Sequence, residues 1–155
     1  MQLSEHFSLE EAITSETASR QGINNNPSGN IIIVMTMTAM QLEKVRALLG
    51  QPMHIDSWYR CPDLNAAVGS KPTSQHLKGE AIDFICPAYG TPTDIVKYII
   101  ANVASINYDQ IILEHTWVHI SWNSDPSVPQ RNQVLSLLSN GGYAHGVTDV
   151  NGVSI

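Results

Sequence analysis

The segment that most narrows the fold is Ala81-Ile82-Asp83-Phe84-Ile85-Cys86. Apolar residues on both faces mark an internal strand of a sheet. A carboxylate in the middle of such a strand is costly unless it is paired or bound to a metal. Just upstream lies Ser74-Gln75-His76-Leu77-Lys78-Gly79-Glu80, and further on Trp117-Val118-His119-Ile120-Ser121 supplies a second histidine on a strand pattern. Two imidazoles and a carboxylate, with a fourth position left to water, are what a catalytic zinc ion takes. The rest of the chain must then fold so that His76, Asp83 and His119 converge, and the chemistry expected is that of a zinc hydrolase.

The 155 residues suffice for one domain with its own core, so a metal is free to be functional rather than a staple. Composition excludes several classes. The chain is 43% hydrophobic and 14% charged, unlike a disordered segment, and its longest apolar run, Ile31 to Met35, is too short for membrane insertion. A net charge of -6 with eight scattered Lys and Arg residues offers no footprint for nucleic acid. The first residues lack a secretory signal pattern, so the expectation is synthesis in a cytoplasm and action elsewhere only after release. Cys61 and Cys86 fit no metal or redox motif and read as two unrelated small buried side chains.

Local patterns give the frame. Ser8-Leu9-Glu10-Glu11 has the form of a capping box, with Phe7 as a hydrophobic staple, and predicts a short helix from Leu9. A second helical piece around Thr17 to Arg20 stops at Gly22, and Asn24 to Gly29 is loop. Met35, Ala39, Leu42, Val45 and Leu49 recur at helical spacing and predict a helix from Asn30 to Leu49, ended by Gly50. Its β-branched first turn allows a later start, and Met35, Met37 and Met40 read as core packing. Met53 to Ser57 alternates as a strand, leads through Arg60 into a helix from Pro62 to Val68, and is followed by a polar loop from Ser70 to Gly79. Thr91-Pro92-Thr93-Asp94 caps a helix with Ile95, Ile99 and Val103 on one face. Gln110 to Glu114 and Trp117 to Ser121 form a hairpin. With His115-Thr116 as its turn, Glu114 pairs with Trp117 and lies diagonal to His119, about 7–8 Å away between backbones. Gln133 to Leu138 is a last strand or short helix. Asn140 to Ile155, rich in glycine and small polar residues, reads as a flexible end or a contact arm. The expected division is thus a peptidase domain over 1–138 and a tail over 139–155.

These segments resemble the zinc D-Ala-D-Ala carboxypeptidases and the related phage L-alanyl-D-glutamate endopeptidases, which share a fold with lysostaphin-type enzymes and the hedgehog signalling domain. The resemblance rests on Ser57 to Asn65, on Ser74 to Asp83 with its Ser-x-His-x-x-Gly-x-Ala-x-Asp pattern, and on Trp117 to Ser121, and runs from about Phe7 to Leu138. It implies an α+β domain with a small, mostly antiparallel sheet carrying the site and helices packed on one side. It implies Zn2+ held by His76, Asp83 and His119, and an arginine, Arg60, that binds a substrate carboxylate or helps hold the oxyanion. Glu114 would be the general base, with Ser74, Trp117 and His115 as further substrate contacts. His115, adjoining Glu114, is a competing candidate to stabilise the transition state or donate a proton, and His54 is a weaker one; both rank below a reading as solvent-facing histidines.

The function so implied is hydrolysis of a peptide bond in peptidoglycan stem peptides by a monomer, after release from the cytoplasm or as part of a virion. Two alternatives belong to other classes: a catalytically silent, zinc-containing module that binds cell wall or a partner, and a structural virion component with incidental peptidase activity. The presence of both Glu114 and Arg60 favours turnover, because a binding module needs no base.

Overall fold

In the computed structural model, which describes residues 1–155, six strands and six α-helices surround one core. The helices are α1 (Leu9–Ile13), α2 (Glu16–Gln21), α3 (Gly29–Leu49), α4 (Pro62–Ala67), α5 (Pro92–Ala101) and α6 (Val103–Ile106). The strands are β1 (His54–Ser57), β2 (Ala81–Ile85), β3 (Gln110–Leu113), β4 (Val118–Ser121), β5 (Gln133–Leu137) and β6 (Tyr143–His145). They form one sheet in the order β1-β2-β4-β3-β5-β6, antiparallel except for the parallel β3–β5 pair. The α+β class, the single domain and the mostly antiparallel sheet agree with expectation.

Alternation along the strands divides the sheet into two faces with different work. Ile82, Phe84, Ile111, Leu113, Val118 and Ile120 point one way and are fully buried with Ile95 and Ile99 of α5 and the apolar stripe of α3. Burying side chains of this size contributes about 1.5–3 kcal/mol each, so this face accounts for much of the fold's stability. Asp83, His119, Ile112 and Glu114 point the other way, into a cleft. The strand expected to be internal is so: β2 pairs with β1 on one side and with β4 on the other.

Several expectations are sharpened by the packing. Helix α1 has Ser8 as N-cap, its Oγ accepting from the Glu11 backbone N–H at 3.1 Å. Phe7 is buried edge-on against the Trp58 ring, with centroids 6.3 Å apart. Helix α3 begins at Gly29 despite its β-branched first turn, because Ser28 caps it. Of its methionines only Met35 is in the core. Met37 and Met40 lie off the apolar stripe and are 47% and 62% exposed, so their reading as core packing was wrong. Helix α5 has its capping box but ends at Ala101; Val103 reaches the core from α6 instead. The polar loop from Ser70 to Gly79 contains a 3-10 turn, Gln75–Lys78, stopped by Gly79 at φ 74°. Cys61 and Cys86 are free and buried; Cys61 Sγ accepts from Leu64 N–H at the start of α4.

The largest difference concerns the C-terminal residues. They are neither a loose end nor an arm: Tyr143–His145 pairs with β5 as the edge of the sheet, and the Ser139 N–H donates to the Val150 carbonyl at 2.9 Å. Thr148 is buried, and its backbone N–H donates to Ser136 Oγ at 3.0 Å. No helix is long and apolar enough to cross a membrane.

Candidate metal centre

Register brings the first two candidate ligands together. Asp83 of β2 and His119 of β4 are direct cross-strand partners, a relation that sets Cβ atoms about 4.5–5.5 Å apart. Asp83 Oδ1 and His119 Nδ1 accordingly lie 2.9 Å apart. On its other side Asp83 is opposite Ser57. An irregularity between Ile55 and Ser57 leaves Asp56 as an extra residue in β1, as bulges beside functional sites do.

The third residue, His76, comes from the 3-10 turn rather than from the sheet, and the segment after β1 holds it. Its Nδ1 donates to the Trp58 carbonyl at 2.6 Å, its own carbonyl accepts from the Arg60 N–H at 3.1 Å, and Trp58 Nε1 donates to the Gly79 carbonyl at 2.9 Å. Asn25 fixes the same segment from behind: it donates to the Tyr59 carbonyl and accepts from the Cys61 N–H, so both neighbours of Arg60 are pinned. Gln75 Nε2 lies 3.3 Å from Glu80 Oε2 and 3.3 Å from Asp109 Oδ2, joining the turn to two buried carboxylates. Glu80 also accepts from Ser124, and Asp109 from Arg131.

The donor set fits a cation on one specific ground. A carbonyl only accepts, so the proton of neutral His76 sits on Nδ1 and the lone pair on Nε2. Nε2 is buried without a hydrogen-bond partner and faces Asp83 Oδ2 at 3.3 Å. Two acceptors in that position repel unless a proton or a metal lies between them. Burial pushes the His76 imidazole below its ordinary value, against protonation. A metal satisfies both atoms, and ligand atoms of His76, Asp83 and His119 all lie within 4.8 Å of one another. Burial pushes the Asp83 carboxyl up, but the hydrogen bond with His119 Nδ1 at 2.9 Å opposes it, and Asp83 is held well below the usual carboxylate range. It is therefore ionised, as a ligand must be.

The cleft over this site measures about 870 Å³. Glu114 enters it from the turn between β3 and β4, where its N–H donates to the Trp117 carbonyl at 3.2 Å. Register pairs Ile112 with His119, so Glu114 does share their face. Burial, then the negative charge of Asp83, pushes its carboxyl up. Arg60 is mostly buried: Nε donates to Ser57 Oγ, one terminal nitrogen to Asn65 Oδ1, and the other to Asp83 Oδ2 at 3.4 Å. Burial pulls its guanidinium down while Asp83 and Glu114 pull it up. Arg60 also borders a neighbouring groove of about 570 Å³ beside α1, α2 and β1.

Ser74 lines the cleft, and its Oγ accepts from the His76 N–H at 3.3 Å. Trp117 lines it with its indole N–H unpaired. His115 is turned elsewhere. It takes φ 65° in the two-residue turn, and its Nε2 lies 2.9 Å from the Leu137 carbonyl on β5, outside the cleft lining. His54 is exposed on β1 and borders the neighbouring groove, not the cleft. Sequence reasoning missed Ser57 and Asn65, which hold Arg60, and Lys71 and Tyr143, which line the cleft. A signal for Tyr143 existed: Asn140-Gly141 is the dipeptide of a tight hairpin, and Gly141 has φ 84°.

A His-Asp-His set, with His76 and Asp83 buried and His119 half-buried, opens to a cleft with a carboxylate and an arginine beside it, an arrangement that could hold a metal ion. A family model described as Peptidase M15 matches residues 5–121, three quarters of the chain, and the protein belongs to that zinc-dependent family. No curated protein matches the chain.

Proposed function

We propose that this protein hydrolyses a peptide bond in peptidoglycan stem peptides, with His76, Asp83 and His119 holding zinc and Glu114 as general base. The observation that carries the reading is the buried, unpartnered Nε2 of His76 facing Asp83 beside His119, on a chain of the Peptidase M15 family. Zinc bound there supplies Lewis-acid activation of water and of a carbonyl. The remaining chemistry belongs to the chain. Glu114, its carboxyl pushed up by burial, takes the proton of the attacking water and returns it to the leaving amine. Trp58 fixes the tautomer and the orientation of His76 through its carbonyl. Arg60 spends three N–H groups on Ser57, Asn65 and Asp83, and its remaining N–H groups are donors for a substrate carboxylate or for the developing oxyanion.

The test is to incubate the zinc-loaded protein with purified muropeptides and weigh the products. Chelator-sensitive loss of D-alanine identifies a carboxypeptidase, and chelator-sensitive internal scission an endopeptidase. No chelator-sensitive product refutes the proposal. The same reading has the enzyme meet the wall after release from the cytoplasm or aboard a phage particle, which co-purification with particles separates.

A further inference from the structure

The family match ends at Ser121, yet the cleft does not. Strand β5 lies beside β3 in parallel, with Ile112 opposite Leu135, and β6 lies beside β5, with Leu137 opposite Tyr143. Alternation therefore puts Leu135 and Tyr143 on the face of Ile112, Glu114 and His119, and all five line the cleft. We propose that Tyr143 is a substrate-contacting residue: its ring flanks the bound peptide beside Leu135, and its hydroxyl donates a hydrogen bond to a backbone carbonyl of that peptide.

This deepens the peptidase reading and rests on it. Three observations support it. Tyr143 is 46% exposed, on an edge strand, with its side chain directed into the cleft. Burial, then the charges of Glu114 and Asp83, pushes its phenol up, and no hydrogen bond within the chain holds the hydroxyl. The phenol thus stays protonated and free to donate. Carboxylate neighbours disfavour an anionic acceptor at that position, which leaves a neutral carbonyl, whereas the cations Arg60 and Lys71 elsewhere in the lining suit a carboxylate. A tyrosine presents an apolar body and one polar tip, a combination suited to an extended peptide with small side chains.

The experiment compares wild type with Tyr143→Phe and Tyr143→Ala as zinc-loaded full chains, using one stem peptide. Tyr143→Phe should raise KM about three- to tenfold, the fold-change of one neutral hydrogen bond, and leave kcat nearly unchanged. Tyr143→Ala should raise KM further, with zinc content and melting temperature as in wild type. Equilibrium binding of the same peptide to zinc-loaded Glu114→Gln protein, with and without Tyr143→Ala, reads the contact without turnover and should show at least a fivefold weakening. Equal KM and equal binding in all variants overturn the assignment of Tyr143 while leaving an active wild type as support for the peptidase reading. A wild type that neither cleaves nor binds overturns both.

Discussion

Exchanging Glu114 for Gln separates catalysis from metal binding and from stability, and the structure gives a sign for each. Glu114 lies on the His119 face but outside the 4.8 Å ligand group, so the zinc content of Glu114→Gln should equal that of wild type. A positioned base contributes about 10²–10⁴-fold to rate, and Glu114 is placed near the middle of that range. The expected loss in kcat is therefore about 10³-fold, near 4 kcal/mol of barrier. Stability moves the other way in chelated protein. A carboxyl whose folded-state pKa exceeds its unfolded value binds more protons when folded, so stability falls as pH rises from the unfolded value, about 4.3, through the folded one. Glutamine cannot ionise and escapes that loss. Chelated Glu114→Gln should melt at or above wild type at pH 7, with the difference vanishing at pH 4. Stopped-point product analysis, zinc quantification and calorimetry at the two pH values check all three. Retained turnover with full zinc would refute the assignment of the base, and a melting point below wild type at pH 7 would refute the electrostatic argument.

Three other perturbations follow from the supports of the site. Zinc at a hundredfold excess over its Kd should add about 2.7 kcal/mol, or about 5–10 °C in melting temperature for a domain of this size; His76→Ala should abolish the shift in a thermal scan. Gly79→Ala forces a Cβ to 2.5 Å from Met35 Cγ at a position with φ 74°, and should cost about 2–4 kcal/mol in denaturant melts and weaken zinc binding, since Gly79 ends the His76 turn. Asp109→Ala removes the buried partner of Arg131 and Gln75 and should cost about 3 kcal/mol by the same melts. Burial pushes the Asp109 carboxyl up, but Arg131 outweighs it and holds it low. Its contribution is thus complete above about pH 4 and lost as pH falls further, so the variant should show a shallower acid-side slope.

What was legible in the sequence is what strand periodicity and local caps encode. Glu114 and His119 were readable as sharing a face because a two-residue turn at His115-Thr116 fixes the register of β3 against β4, and period-two alternation then fixes which side chains point together; Asp83 joins them only through the long-range pairing of β2 with β4. Caps at Ser8, Thr91, Gly22 and Gly50 set helix limits to within a residue or two for the same local reason. The turn carrying His76 was not legible, because its shape depends on the Trp58 carbonyl, 18 residues away in sequence. Nor were the partners of Arg60: Asp83 is 23 residues distant, and Ser57 reaches its place through the irregularity in β1. Met37 and Met40 were misread by residue type where position on α3 decides. The C-terminal residues were misread by composition, since β6 is held by backbone pairing to β5, which glycine and small polar residues do not prevent.

The division of the sheet explains how a costly site is carried by an otherwise ordinary fold. Asp83, His76 and Arg60 place charge and unpaired polar atoms in a buried setting, which in a closed core would cost several kcal/mol per group. Here each strand that presents a site residue on one face presents fully buried apolar residues on the other: Ile82 and Phe84 flank Asp83, Val118 and Ile120 flank His119, and Leu113 precedes Glu114. The backbone positions of Asp83 and His119 are thus set by packing that the metal does not touch. Of the three candidate ligands only His76 lacks such backing, because it stands on a turn held by Trp58, Arg60 and Gln75. Metal removal should therefore loosen the Ser74–Gly79 segment and leave the sheet intact, so that amide exchange quickens in that segment while β2 and β4 keep their protection. Global loss of protection on chelation would mean that the ion is a structural staple, and the two-faced account of the sheet would fail.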